Sequence, residues 1–415
     1  MEFKEHLRKY LDESTIDSLV DTFDKKEHKG VLLNTNKMSD EEFIKLFPNV
    51  KKHPIVKHAY LYDQDEYELG KNIYHDMGCY YIQDPSAMLV SYFLNPKEGE
   101  TVLDMCAAPG GKSVQASLLM HNKGVLYAND ISLKRANILL SNIERLGLSN
   151  VVVSALDLSK INNLNNRFDK IILDAPCSGS GMFRKLDEMK DDWTYEKVIK
   201  NSFIQKELIL LGYQMLKEGG ELIYSTCSYS YEEDEEVIKY LLDNTDAELT
   251  NLPQYDGFYR SDLNKTIHLF PNKFIGEGHF IALIKKPGVL KNKKPNPVEI
   301  NKRVKSKGGS EMIEKYSLPD EPILDIAKYA LRAGLFIDTT INHKTYISHH
   351  YSHFLDSVNS YELNDDELKR YIHGESLFIK DNKNYTTVSY KGYNIGAVNK
   401  VNNELKNLYP KGLRR

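Results

Sequence analysis

Residues 101–113 read TVLDMCAAPGGKS. A short apolar run of strand character enters a loop of small residues, and a helix follows. The pattern then recurs. GVLYAND at 124–130, NVVVSALD at 150–157, FDKIILDAP at 168–176 and GELIYSTC at 220–227 are further apolar runs, each ending in an acid or a thiol beside loop residues. Helical stretches such as SLKRANILLSNIERLG at 132–147 lie between them. Strands separated by helices predict an α/β fold with a parallel sheet covered on both faces. Ligands bind such sheets at the carboxyl ends of the strands, so the residues that end these runs are the functional candidates.

The first loop, Asp104 to Ser113, contains Cys106, Ala107, Ala108, Pro109, Gly110, Gly111 and Lys112. Small residues let backbone approach a ligand, and the helix start carries partial positive charge. The loop is neither GxGxxG nor the GxxxxGK[ST] of a phosphate loop. Alone, it fits a nucleotide-like ligand or a tight structural turn. The second run ends at Asp130, where an acid would take ribose hydroxyls, and the next two end at Asp157 and Asp174. Any one of these is a common helix-cap aspartate. Three in register beside a glycine loop are better explained by a cationic or hydroxylated ligand, and S-adenosylmethionine has the ribose, amine and sulfonium for it.

The chain has four cysteines, Cys79, Cys106, Cys177 and Cys227. None forms a CxxC pair, which argues against a zinc ribbon or thioredoxin motif, and a reducing cytosol argues against a disulfide framework. A buried cysteine is ordinarily inert packing. Cys177 and Cys227, however, fall on one rim of the sheet beside the proposed cofactor loop. The helix start after Cys227 would lower its pKa, and Glu232 and its neighbours would oppose that. A thiolate beside a methyl donor suits methylation of a pyrimidine at C5. Addition of sulfur to C6 makes C5 nucleophilic, C5 takes the methyl group, and loss of the C5 proton expels the sulfur. A proton at ring N3 eases the addition. Asp174 is placed to supply it, which requires burial to keep its carboxyl protonated.

CAAPGGK at 106–112, DAPCSGSGMFRK at 174–185 and YSTCSYSYEEDE at 224–235 resemble motifs of the NOL1/NOP2/Sun (RsmB/NOP) family of RNA cytosine-C5 methyltransferases. GCYYIQDPSAM at 78–88 and HLFPNKFIGEGHF at 268–280 are similar to that family too. The resemblance implies a Rossmann-like class I methyltransferase sheet, with Cys227 as nucleophile and Cys177 assisting product release. It also implies that residues 106–112, Asp130, Arg135, Asp157 and Asp174 bind S-adenosylmethionine, that Lys112 and Asp174 lie close to the target base, and that no metal takes part. ELKNLYPKGLRR at 404–415, after YIHGESLF at 371–378, resembles the PUA-like ending of the family's bacterial 16S ribosomal RNA branch. The implied substrate is ribosomal RNA of the small subunit. Two departures stand out. The usual RK-x-P reads Arg184-Lys185-Leu186-Asp187, and the usual LGWGK-type loop reads Ile395-Gly396-Ala397-Val398-Asn399-Lys400, without its tryptophan.

Alternatives are a tRNA enzyme of the same chemistry and a non-catalytic RNA-binding assembly factor. The TC motif at Cys227 argues against a DNA enzyme, which would use the PC cysteine, and the intact Cys177, Cys227, Asp174 and Lys112 argue against the assembly factor.

With 415 residues, 41% hydrophobic and 27% charged, the chain has a globular balance sufficient for two to three domains. Its start, MEFKEHLRKYLDES, lacks a signal-peptide run. LILLGYQML at 208–216 is too short to span a bilayer. These features predict a soluble, cytoplasmic, monomeric protein. The net charge of −4 argues against indiscriminate nucleic-acid binding but permits local basic surfaces. Residues 285–309 hold nine Lys or Arg against the single acid Glu299. The expected organisation is an α+β RNA-binding leader (1–75), the methyltransferase domain (76–285), a basic linker (286–310), a helical insert (311–370) and a PUA-like RNA-binding domain (371–415). Lys406, Lys411, Arg414 and Arg415 would extend the phosphate-tracking surface.

Overall fold

The structure, a computed structural model, describes residues 3–185, 188–291, 294–305, 311–355 and 359–414. Leu186, Asp187, Arg415 and parts of the basic segment, 292–293 and 306–310, lie outside the described residues.

Two short helices, Phe3–Leu7 and Glu13–Val20, open the chain. The second begins where Asp12 accepts from the Thr15 backbone N–H at 2.9 Å, satisfying one of the free donors of a helix start. A four-stranded antiparallel sheet follows, made of β1 (Lys29–Leu33), β2 (Lys51–Lys52), β3 (Ala59–Tyr62) and β4 (Tyr80–Gln83), in the order β2-β3-β1-β4. The boundary expected at residue 75 therefore cuts this sheet. β4 completes it by pairing Val31 with Ile82, a contact between segments far apart in the chain.

The central sheet contains β5 (Thr101–Asp104), β6 (Val125–Asn129), β7 (Val151–Ser154), β8 (Phe168–Asp174), β9 (Leu216–Thr226), β10 (Glu248–Thr250) and β12 (Phe280–Lys285), with the two-residue β11 (Ile267–His268) on β12. β7, β6, β5, β8 and β9 are parallel neighbours in that order. β12 pairs antiparallel to β9, and β10 to β12. Side chains alternate between the two faces. Val102, Leu126, Val151, Val153, Ile172 and Ile223 enter one core, whereas Leu103, Tyr127, Val152, Ile171, Leu173 and Leu222 enter the other. Burial on both faces explains why these strands read as continuous apolar runs.

The helical reading of 311–370 is overturned. β13 (Val298–Lys305), β14 (Glu311–Leu318), β16 (Leu335–Ile341) and β17 (Lys344–Ile347) form an antiparallel sheet in the order β13-β14-β16-β17. The polar residues of 311–370 suggest helix, but in β14 the inward-facing Met312, Tyr316 and Leu318 recur at even spacing, which is the period of a strand. β13 also shows that the expected basic linker is partly a strand. Between β14 and β16, β15 (Arg332–Ala333) adds antiparallel to β7 and covers that edge of the central sheet. Among the described residues, α-helix is confined here to Leu324–Ala327, His349–Ser352 and Asp365–His373.

The final sheet joins β18 (Ser360–Glu362), β19 (Leu377–Phe378), β20 (Thr387–Tyr390), β21 (Tyr393–Val401) and β22 (Glu404–Asn407) in the order β18-β20-β21-β22-β19. It begins before residue 371, because β18 runs parallel to β20. It is no separate appendage. Val31, Tyr60 and Tyr80 of the N-terminal sheet and Phe43 of the helix Asp40–Leu46 share one core with Leu363, Tyr371, Ile395 and Tyr409. Lys37 Nζ donates to the Met77 and Arg145 carbonyls at 2.7 and 3.2 Å and stands 3.3 Å from His353 Nδ1, tying three modules together. Among the described residues, no helix is long and apolar enough to cross a membrane.

Candidate active site

β5 lies between β6 and β8, so the winding of the sheet reverses there and opens a crevice beyond its carboxyl end. The loop after β5 leads into the helix Gly111–Leu119. Gly110 has φ 122°, a conformation that side chains disfavour. The loop is held in place by Ala107 N–H donating to Asn129 O at 2.7 Å and by Arg135 Nη2 donating to Ala108 O at 2.7 Å.

Asp130 follows β6 and is 2% exposed. Its Oδ1 accepts from Ser132 N–H at 3.0 Å. Its Oδ2 has Arg135 Nη2 at 3.4 Å but no hydrogen bond. A buried carboxylate oxygen with spare acceptor capacity at a strand end suits a hydroxyl donor such as a ribose. Asp104 is similar. Ser113 Oγ donates to its Oδ2 at 2.6 Å, Oδ1 is unbonded, and burial pushes the carboxyl up to about 7 despite that hydrogen bond. Cys106 is half-buried in the loop, with its thiol pushed up by burial. Asp157 differs. It follows β7, but its carboxylate accepts from Ser159 N–H at 3.2 Å and pairs with Lys160 at 2.8 Å, and these partners hold it below the usual carboxylate range. Local capping accounts for its contacts.

At the end of β8, Asp174 Oδ2 accepts from Lys112 Nζ at 2.7 Å and Oδ1 from Ser225 Oγ at 2.7 Å. Burial raises this carboxyl, but Lys112 and His279 together with these hydrogen bonds outweigh it and hold Asp174 below the usual range. The expectation of a protonated Asp174 is therefore overturned. Lys112 is the proton carrier of the pair: burial lowers its pKa, and Asp174 more than compensates.

Cys177 lies three residues beyond β8 and Cys227 directly after β9, and their sulfurs are 3.1 Å apart as free thiols. The hydrogen bond to Cys227, burial and the nearby charge of Glu233 push Cys177 well up, so it remains S–H. Cys177 thus keeps its proton against the Cys227 sulfur.

Several site residues were not singled out from the sequence. His279 Nε2 stands 3.4 Å from Lys112 Nζ, and its Nδ1 is 3.1 Å from Ser86 Oγ, which donates to Asp84. Burial, then the charge of Lys112, brings His279 down to about 4. β12 delivers it, because Phe280 pairs with Thr226, one residue before Cys227. Gly181 N–H donates to Cys227 O at 2.7 Å. Arg184 forms a buried pair with Glu277, Nε to Oε2 at 2.7 Å. The GEGHF stretch carried the signal for His279 and Glu277, but strand pairing was needed to show where they go. Behind Thr226, Asp234, Glu235 and His268 cluster. Glu235 meets His268 at 2.7 Å and Asp234 accepts from Thr226 Oγ1 at 2.5 Å, so the group has internal partners.

A family model described as 16S rRNA methyltransferase RsmB/F matches residues 91–285. Models of the N-terminal domain of 16S rRNA methyltransferase RsmF and of the methyltransferase RsmF PUA domain match residues 1–85 and 358–415. A protein of Shewanella piezotolerans named ribosomal RNA small subunit methyltransferase F is 32% identical over 92% of this chain and 90% of that protein. The chain belongs to the RsmB/F methyltransferase family. It is an S-adenosylmethionine-dependent RNA methyltransferase. A tRNA (cytosine(49)-C(5))-methyltransferase of Pyrococcus abyssi is 40% identical over 52% of this chain and 74% of that protein. A crystal structure of a methyltransferase homolog from Pyrococcus horikoshii superposes with TM-score 0.61 at 32% identity, covering 68% of this chain and 93% of that one. The family matches at both ends agree with the sheet membership of β4 and β18, which the expected boundaries at 75 and 371 divided.

Proposed function

We propose that the protein methylates cytosine at C5 in 16S ribosomal RNA through a covalent bond between Cys227 and ring C6. The observation that carries this reading is the pair of thiols 3.1 Å apart beside the Lys112–Asp174 pair. Bound S-adenosylmethionine supplies an electrophilic methyl group. Asp130 takes its ribose hydroxyls, while residues 106–111 and Arg135 shape the pocket around it. Cys227, as thiolate, adds to C6. Lys112, oriented by Asp174 and His279, donates a hydrogen bond to ring N3 and offsets the electron density that addition places on the ring. After C5 is methylated, its proton leaves, the C5–C6 double bond re-forms and the S–C6 bond breaks. Cys177 assists that last stage.

Ribosomal RNA is preferred to tRNA because the relative named for the small subunit aligns along nearly the whole chain, whereas the tRNA-named one aligns over about half. In this reading the N-terminal and PUA-like modules hold RNA of the small-subunit particle, and the enzyme works as a cytoplasmic monomer. Bisulfite mapping of ribosomal RNA from cells with and without the gene tests the substrate.

Single-cysteine variants test the chemistry. Cys227→Ala should abolish methyl transfer. Cys177→Ala should accumulate a covalent enzyme–RNA adduct that survives denaturing gels, and the double variant should form none. An adduct from the double variant on 5-fluorocytosine RNA would refute the assignment.

A further inference from the structure

The two cysteine loops share a detail: Cys177-Ser178 and Cys227-Ser228 each place a serine directly after the thiol. Both serines end on one fully buried carboxylate, that of Glu233. Its Oε1 accepts from the Ser178 backbone N–H at 2.8 Å, and its Oε2 accepts from Ser178 Oγ at 2.5 Å and Ser228 Oγ at 2.6 Å. Gln205 Nε2 donates to Oε1 at 3.1 Å and to Pro176 O at 2.8 Å, bringing the stretch before Cys177 into the same knot. Tyr224 OH donates to the Glu233 carbonyl at 2.6 Å and fixes this segment to β9.

An acid just before the helix Glu235–Asn244 invites a simpler reading, complementing the partial positive charge of the helix start. The geometry rejects it, because every side-chain contact of Glu233 given above leads to the cysteine loops or to Gln205. The loops also need a tie. They leave β8 and β9, neighbouring strands whose backbones lie about 4.8 Å apart, yet bring their sulfurs to 3.1 Å. Burying a carboxylate is costly unless its oxygens are fully bonded. Four donors meet that cost here.

We propose that Glu233 is a positioning residue for methyl transfer, a single carboxylate that clamps both cysteine loops so that the Cys177 thiol is held against Cys227. This rests on the covalent reading given above. Cys177 then enters the release step already aligned with the sulfur that must depart. The negative charge of Glu233 also favours the protonated form of Cys177.

Glu233→Gln keeps the shape but sets an amide donor against donors. Expected are unchanged S-adenosylmethionine affinity and RNA KM, kcat lowered about tenfold or more, and adduct accumulating as in Cys177→Ala. Ser178→Ala with Ser228→Ala, which removes two of the donors and keeps the acid, should accumulate adduct as well. A second readout needs no RNA. Diamide takes two electrons and two protons from the paired thiols and becomes the hydrazine as the Cys177–Cys227 disulfide forms, and peptide mass spectrometry follows the rate. That rate should fall in Glu233→Gln. Wild-type kcat, adduct level and oxidation rate in Glu233→Gln would overturn the proposal, as would joint loss of cofactor affinity and thermal stability. If the wild-type protein forms no adduct on 5-fluorocytosine RNA while oxidation still depends on Glu233, the covalent reading falls and the clamp stands.

Discussion

Asp130 Oδ2 is buried without a hydrogen-bond donor, and Arg135 stands beside it at 3.4 Å. A ribose hydroxyl would supply the missing donor, and a hydrogen bond to a buried charge is worth about 1.5–3 kcal/mol. Asp130→Ala should therefore weaken S-adenosylmethionine binding about tenfold to a hundredfold, as calorimetry would read. Asp104 makes a different prediction. Burial holds its carboxyl at about 7 in the folded protein, against an ordinary value of 3.8. Below the ordinary value both folded and unfolded chains carry the proton. As pH rises toward 7 the unfolded chain ionises first, so the stability that Asp104 contributes is lost across that interval and levels off above it. Buried His279, held down at about 4, contributes with the opposite sign over part of this range. The decline should therefore be read as the difference in melting between the cofactor-free protein and Asp104→Asn from pH 4 to 8.

At the scale of elements, the reactive rim depends on how loops from different strands fit together. Gly181, just beyond β8, approaches the loop after β9 so closely that an added Cβ would lie 2.8 Å from Cys227 O and 3.1 Å from Gly278 O. Neither backbone oxygen can move without disturbing Cys227 or the β12 approach that carries His279. Gly181→Ala should cost about 1–3 kcal/mol in urea unfolding and should lower methyl transfer more than it lowers cofactor affinity.

Across the whole molecule, the two ends of the chain fold together. Tyr74 packs edge-on against Tyr393 at 6.1 Å, and Tyr393 OH bonds Glu42 at 3.3 Å. Removing the C-terminal sheet would expose the N-terminal core, so surface charge reversal tests RNA capture more cleanly than truncation. Arg414 is unsuitable for this, because its guanidinium donates to Tyr409 O at 3.2 and 3.0 Å and lies over Gly374. Lys406 and Lys411 are exposed. Replacing both with Glu should raise KM for ribosomal RNA and reduce the salt slope of binding by about 1.4–1.8, with cofactor affinity unchanged. An unchanged slope would remove this surface from the RNA path.

The parallel sheet, the glycine loop, the acids at the strand ends and the paired thiols were legible in the chain, because each depends on neighbours within a few residues and on burial of both sheet faces. The protonation of Asp174 was not legible. It depends on Lys112 arriving from another strand's loop to within 2.7 Å, which reverses the effect of burial. The strands at 311–347 read as helix because one-sided sheets mix charged and apolar residues as a polar helix does, and only the pairing of Met312 with Val304 and with Ile341 separates the two. His279, Glu233 and the core shared by the chain's two ends likewise arise from contacts between distant segments. Local sequence determined the chemistry available at the rim. Tertiary packing decided which groups carry the protons, which thiol faces which, and how the modules are joined.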